Sequence, residues 1–492
     1  MLRMVSCPQR RCRSSSRWLE TFLIIMPRDI STSNTELFPL TEEELYSVLS
    51  TALSRGGEYA DLFLEDTRIS SLELQDGTVS QAQQVMLYGA GIRVVQGTQT
   101  GYAYTMDLSQ QAMHQAALFA GSLPKSGTTV NIPTLTPTPL ITEETPMLEP
   151  DASKSILLTI NKRAHEISPL VVRVKATIAQ RMQNIKFVCS EGTGFSDHRP
   201  RTTLFISIVM QKEGKTQMGF GSRMYQRGAD FITPNLIEEL LQETVQQTLF
   251  LFDARQIEGG EMPVVMAAGS SGILMHEAIG HAFEADFVRT GESIFSGKLG
   301  QRICNPNITI IDDGTLPYDA GMLRYDDEGT PGQKTTLVEK GILTSYLYDR
   351  ISARYFGVQS TGNGRRESFR HIPLPRMRST YMCAGEASED DIIRSVKRGI
   401  YAQTFTNGQV QIGAGDFTFF MKKGWLIEDG HLTTPLRDMN IIGNGPQALQ
   451  NISMVADNLK IDHSAGMCGK GGQRVGVSQG LPTVLVDKLV VG

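Results

Sequence analysis

The stretch Leu274-Met275-His276-Glu277-Ala278-Ile279-Gly280-His281-Ala282-Phe283-Glu284-Ala285-Asp286 places two histidines and a glutamate within six residues of an apolar, helix-prone segment. Neutral imidazoles are good zinc ligands, and a glutamate beside one of them can take a proton from a water that a metal has acidified. The spacing departs from the common H-E-x-x-H signature, whose histidines stand four apart on one helical face; His276 and His281 stand five apart. On a regular α-helix five residues turn a side chain by about 140° from its starting direction, which splays the pair. The two rings can share an ion only if a π-type turn, in which five residues nearly close one turn, or a helix end lies between them. Gly280 suits such a distortion, because a residue without a Cβ adopts unusual backbone angles at low cost. The segment is therefore expected to be helical to about Gly280 and irregular there. The bland alternative is one core histidine and one surface histidine.

Catalytic zinc usually holds three protein ligands and a water, so a further ligand has to come from elsewhere. The other histidines are His114, His165, His198, His371, His431 and His463, and the adjacent acids are Glu284 and Asp286. The cysteines are Cys7, Cys12, Cys189, Cys304, Cys383 and Cys468. Cys468 stands out by context, since Ala465-Gly466-Met467-Cys468-Gly469-Lys470-Gly471-Gly472-Gln473 is a glycine-dense loop that can carry a thiolate to a metal. Lys470 would favour that thiolate electrostatically. The ordinary reading of an isolated cysteine is a small buried apolar residue.

Other motifs accompany these: Thr361-Gly362-Asn363-Gly364-Arg365-Arg366, His371-Ile372-Pro373-Leu374-Pro375-Arg376-Met377 and Gly413-Ala414-Gly415-Asp416-Phe417. Near the N-terminus, Gly91-Ile92-Arg93-Val94-Val95 and Gly101-Tyr102-Ala103-Tyr104-Thr105 belong to the same set. Together, over residues 40–492, they resemble the TldD/PmbA family of zinc metalloproteases, and specifically its TldD-like catalytic branch. The resemblance implies zinc held by His276, His281 and Cys468, with Glu277 as the general base of a peptidase that hydrolyses peptides or unfolded segments with metal-activated water. It also implies an α/β N-terminal domain followed by a β-rich one, and a related PmbA-like subunit as heterodimeric partner, or else a homodimer. Two other classes stay open: a nonpeptidase zinc amidohydrolase, and a noncatalytic regulatory or binding protein in the sense of the older family label, DNA gyrase modulator.

Composition fits an ordinary enzyme. At 492 residues the chain exceeds one hydrophobic core, so two or three domains are expected. With 20% charged residues and a net charge of −5, nothing draws it broadly to nucleic acid or anionic membrane. Six scattered cysteines form no disulfide framework, which suits a reducing, cytoplasmic setting. No apolar run approaches the roughly 18 residues of a membrane span. The region 1–36 reads as a leader. Its arginines and its serine run at Ser14-Ser15-Ser16 resemble a transit peptide, and an upstream start with Met26 as initiator is the favoured reading.

The fold expected is α+β, with an N-terminal α/β domain over 37–257, rich in antiparallel sheet, and a β-rich metalloprotease domain over 258–492. Thr41 and Glu44 form a capping box for a helix whose apolar face is Leu45, Val48, Leu49, Ala52 and Leu53. Strand-like runs follow at 59–64, 70–74, 85–95 and 98–104, then a helix at 109–120. A Thr/Pro-rich crossing spans 131–150. A helix near 153–166, strands around 171–190 and 202–211, and a helix at 235–249 complete this half. The second half reads as strands at 308–311, 334–338, 342–348, 409–412, 417–422 and 426–428, punctuated by glycines. Arg365, Arg366, His371 and Arg376 form a basic group suited to binding peptide carbonyls or a terminal carboxylate, or equally a solvated loop with structural ion pairs. Asp326-Asp327-Glu328-Gly329 lacks the spacing of a calcium loop and reads as an acidic turn.

Overall fold

Thr41 stops the chain from running straight into its first helix and caps it instead. Its hydroxyl accepts from the Glu44 N–H at 3.2 Å, and the Glu44 carboxylate accepts from the Thr41 N–H at 2.7 Å, giving the expected capping box at the start of α1 (Glu42–Leu53). The five apolar residues of its expected face are all buried. The computed structural model describes residues 37–122, 132–134, 136–137, 145–464 and 466–492. The leader reading for 1–36, part of the 131–150 crossing, and Ala465 lie outside the described residues. Met1–Pro39 and Leu40–Gly492 separate as two units, and among the described residues every helix and strand belongs to the second.

Its first sheet has seven strands: β1 (Tyr59–Gln75), β2 (Thr78–Gln96), β3 (Gln99–Thr105), β4 (Thr136–Pro137), β5 (Val171–Cys189), β6 (Thr193–Lys212) and β7 (Lys215–Tyr225). Their order is β3-β2-β1-β5-β6-β4, with β7 also on β6, and every pairing except β4 with β6 is antiparallel. The hairpin from β1 to β2 turns through Asp76 and Gly77 at φ of 49° and 78°, the left-handed pair that a two-residue loop requires. Helix α2 (Gln110–Ala120) lies beside α1. On one face of the sheet, Leu157, Ile160 and Ala164 of α3 (Pro150–Ile167) and Leu240, Leu241 and Val245 of α4 (Pro234–Asp253) form a core with Ala176, Ile178, Ile206 and Ile208.

The first strand differs from its reading as two short runs. It is continuous for 17 residues, because the polar middle that looked like a break is buried and paired. Glu65, fully buried, accepts from Gln183 Nε2 at 3.0 Å, from Arg181 Nη2 at 3.2 Å and from the Phe369 N–H at 2.7 Å.

The second half holds two two-stranded pairs and two six-stranded sheets, both of these sheets with mixed strand directions. One runs through Gly260–Met266, Arg398–Val410, Asp416–Glu428, His431–Asn444, Ile452–Val455 and Val484–Val491; the other through Ile310–Asp313, Lys334–Glu339, Ile342–Leu343, Ser379–Met382, Lys460–Asp462 and Ser478–Leu481. The expected runs 417–422 and 426–428 are one strand. Gly424 between them is no turn: a Cβ there would lie 2.5 Å from the Tyr401 carbonyl, so glycine permits close strand approach. The run expected at 342–348 pairs only over Ile342–Leu343.

The class is α+β, and among the described residues no helix is long and apolar enough to cross a membrane. The metal-motif segment sits inside the core of the second half. Leu274, Met275, Ala278, Ile279, Ala282 and Phe283 pack with Val264, Met266, Ile400 and Phe419. The acidic turn at 326–329 is buried beneath the first sheet. Arg93 of β2 reaches Glu328 at 2.6 Å and Asp61 at 2.7 Å, and Arg199 of β6 reaches Asp327 at 2.5 Å.

Candidate metal centre

The motif segment is helical but not α-helical. Leu274–Ile279 forms a π turn and Gly280–Phe283 a 3₁₀ turn. The Gly280 N–H donates to the carbonyls of both His276 and Met275, the latter five residues back, and Ile279 absorbs the change of winding at φ −122° and ψ −52°. This is the distorted helix the five-residue spacing demanded. It brings the imidazoles of His276 and His281 to a centroid separation of 5.0 Å, with their planes at 77°.

Gly280 itself has ordinary right-handed angles, φ −62° and ψ −46°, so its role is not the backbone freedom expected of it. A Cβ there would lie 2.1 Å from Met377 Sδ and 2.8 Å from the Met275 carbonyl oxygen. Space is what the glycine supplies.

A β-hairpin of Met467–Lys470 and Gln473–Gly476 delivers the third donor. Alternation along its first strand puts Cys468 and Lys470 on one face, with Met467 and Gly469 on the other. Cys468 Sγ lies 3.4 Å from His281 Nε2, and one donor atom each from His276, His281 and Cys468 fall within 4.8 Å of one another. All three side chains are buried. Among the described residues this is the one grouping of three or more histidines, cysteines or acids close enough to hold an ion, so the remaining histidines, Glu284 and Asp286 are not brought in as donors.

Glu284 instead stands behind His281, with Oε2 2.9 Å from Nδ1. A carboxylate only accepts, so Nδ1 carries a proton, while Nε2 shares a proton with Cys468 Sγ and would offer its lone pair to an ion once that proton leaves. Burial works to raise the Glu284 pKa, but Lys470 and His281 hold it down at about 2. Burial likewise opposes the Cys468 thiolate, yet His276 and His281 bring its pKa to about 4. For His281, burial disfavours the cation while Glu284 and Cys468 push its pKa well above the ordinary value. A thiolate and two imidazoles drawn together this way fit a borderline-soft cation such as zinc. The buried His276 Nδ1, without a hydrogen-bond partner among the described residues, fits the same reading.

Lys470 makes no hydrogen bond to the thiolate among the described residues. Its ammonium is turned to Glu284 Oε2 at 3.0 Å, Asp286 Oδ1 at 2.7 Å and the Pro375 carbonyl at 3.1 Å. Glu277, half-buried beside His276, has a carboxylate that no hydrogen bond or ion pair engages among the described residues.

The basic group meets internal partners rather than open solvent. Arg365 donates to the carbonyls of Met377 at 2.6 Å and Gly476 at 2.7 Å. Arg366 donates to the Asp327 carbonyl at 2.9 Å and lies 4.5 Å from the Phe63 ring centroid. Arg376, fully buried, donates to the Cys468 carbonyl at 2.7 Å. Only His371 is partly exposed, with Nδ1 3.1 Å from Ser368 Oγ. Arg376 thus fastens the hairpin that carries the thiol, a role the sequence reading missed.

Three family models match the chain in succession: PmbA/TldA metallopeptidase domain 1 over residues 60–122, the central domain over 143–249 and the C-terminal domain over 259–492. A metalloprotease TldD homolog of Haemophilus influenzae is 36% identical over 481 residues, covering 94% of this chain and 98% of the relative. A zinc metalloprotease TldD homolog of Saccharolobus solfataricus is 36% identical over 288 residues, covering 58% of this chain and 62% of that protein. In fold, the chain is similar to the crystal structure of TldE from Thermococcus kodakarensis, with a TM-score of 0.72 at 18% identity over 91% of this chain and all of that one. Identity with full-length coverage and three consecutive family models lead to one conclusion: the chain belongs to the TldD/PmbA family of metalloproteases.

Proposed function

We propose that the chain is a zinc-dependent peptidase in which His276, His281 and Cys468 hold the ion and Glu277 is the general base. The observation that carries this reading is the convergence of three buried donors from segments 187 residues apart to within 4.8 Å of one another. The relatives named metalloproteases, one of them a zinc metalloprotease, support a peptidase over a gyrase-binding role. When bound, zinc would supply a Lewis acid for the scissile carbonyl and lower the pKa of the attacking water. The Glu277 carboxylate takes a proton from that water at one oxygen and returns it to the leaving amine. Glu284 keeps the His281 Nδ1 proton in place, so that Nε2 stays a donor throughout.

The substrate we propose is a peptide or an unfolded segment. Because the chain carries all three donors and the glutamate, we take it to be the catalytic member of a pair with a PmbA-like subunit.

The test is zinc content together with hydrolysis of an unfolded peptide, the candidate partner subunit being added in a second series. Glu277→Ala is expected to keep its zinc and lose hydrolysis by about 10²- to 10⁴-fold, and Cys468→Ala to lose zinc. Full hydrolysis by Glu277→Ala would remove the mechanism. Cleavage confined to small amides would point to an amidohydrolase instead.

A further inference from the structure

The ammonium of Lys470 has three N–H donors and three acceptors, two of them on the segment 284–286 and the third at Pro375. Glu284 follows the second motif histidine, Asp286 opens the short helix Ala285–Thr290, and Pro375 lies in the strand pair just before Arg376. The Lys470 side chain is only 8% exposed and that of Glu284 not at all, so the contact is shielded from water and from salt. Glu284 Oε2 is the point where two of these lines meet: it accepts from His281 Nδ1 at 2.9 Å and from Lys470 Nζ at 3.0 Å. Lys470 stands two residues after Cys468, on the same face of the same strand. One carboxylate oxygen therefore joins an imidazole donor to the strand that carries the thiol donor. Arg376 adds a second hold through the Cys468 carbonyl, with its Nε 4.0 Å from the other Glu284 oxygen.

We propose that Lys470 and Glu284 are positioning residues for the metal centre, a latch that sets the Cys468 hairpin against His281 and so fixes the distance between donors from the two ends of the site. This rests on the reading of His276, His281 and Cys468 as ligands, and it assigns a role to two residues outside that donor group. Hydrogen-bonded partners behind metal ligands typically change metal affinity by about 10- to 100-fold when removed. An ion pair that merely supports the fold would change unfolding and leave donor geometry alone.

The experiment compares the full-length wild type with Lys470→Met, Glu284→Gln and Lys488→Met. The last removes an exposed ion pair with Glu261 that involves none of the site residues, and serves as control. Zinc affinity is measured by competition with a chelator, and the cobalt-loaded proteins are compared by their thiolate-to-metal absorption band. Lys470→Met and Glu284→Gln are expected to bind zinc about 10- to 100-fold more weakly, with a weakened or shifted thiolate band, while Lys488→Met matches the wild type. Zinc affinity within threefold of wild type and an unchanged band in both site variants would overturn the latch. Should Lys470→Met fail to fold, Asp286→Asn, which loosens the same ammonium from its more exposed side, carries the test: a several-fold loss of zinc supports the latch and an unchanged affinity overturns it. A wild type that takes up no zinc overturns both this proposal and the reading beneath it. Zinc binding that depends on Lys470 supports the latch even where no peptide is cleaved.

Discussion

Gly280 shows how a residue can be picked out correctly for the wrong reason. Its place between two histidines five apart marked the distortion, and the π turn closes there, but the constraint is the sulfur of Met377 rather than an unusual φ. Spacing is written in the sequence; the neighbour that fills the space, almost a hundred positions on, is not. Gly280→Ala is accordingly expected to destabilise the protein by about 1–3 kcal/mol through overpacking and to weaken zinc binding by shifting the Met275 carbonyl that closes the turn. Adding Met377→Ala, which opens room for the new methyl, should recover part of the stability; denaturant unfolding of the single and double variants checks this. The same limit applied to Lys470. Its position two residues from Cys468 was visible, and strand alternation could have put both on one face, yet its partner Glu284 lies 186 positions away.

Elements whose cause is local were the most legible. The capping box of α1 needs only Thr41 and Glu44, and both its bonds form as read. Strands were cut short wherever a charge or a glycine interrupted an apolar run, because the arginine that neutralises Glu65 and the strand that presses on Gly424 come from other parts of the chain. The helix Arg350–Phe356 shows what such buried charges do at an element's end. Asp349 caps it by accepting from the Ser352 N–H at 2.8 Å, and burial together with nearby Glu328 raises the Asp349 pKa to about 6. The unfolded chain releases this proton near the ordinary carboxylate value of about 4, the folded one only near 6. The folded state thus binds more protons over that window, and stability drains away as pH rises through it. Asp349→Asn keeps an oxygen for the cap and carries no charge. It should match the wild type at pH 4 and exceed it at pH 8 by on the order of 2 kcal/mol, read by urea unfolding at the two pH values.

At the scale of the whole molecule, no sheet among the described residues mixes strands from before and after residue 258, and we propose that point as the division between two domains. The two halves are nonetheless joined through buried charge: Arg93 of the first sheet is held between Asp61 on its own side and Glu328 on the other. Arg93→Met would leave Glu328 buried without its guanidinium partner and Asp61 with only the longer Arg366 contact at 3.5 Å, and is expected to cost about 3–5 kcal/mol, measurable by denaturant unfolding. Composition and motif placement gave the α+β class and the order of the halves, whereas the acidic turn's burial depended on arginines more than a hundred residues away.

The contact of His281 with Cys468 closes a loop of 187 residues. Closing so long a loop is entropically expensive for a bare chain, and the expense grows only slowly with length, so one strong link across it removes much of the freedom of the unfolded ensemble at once. Any ion seated between these donors would act as a removable staple on the second half of the fold. Its loss should be felt first as fraying of the hairpin at 467–476, long before the sheets that frame it begin to open.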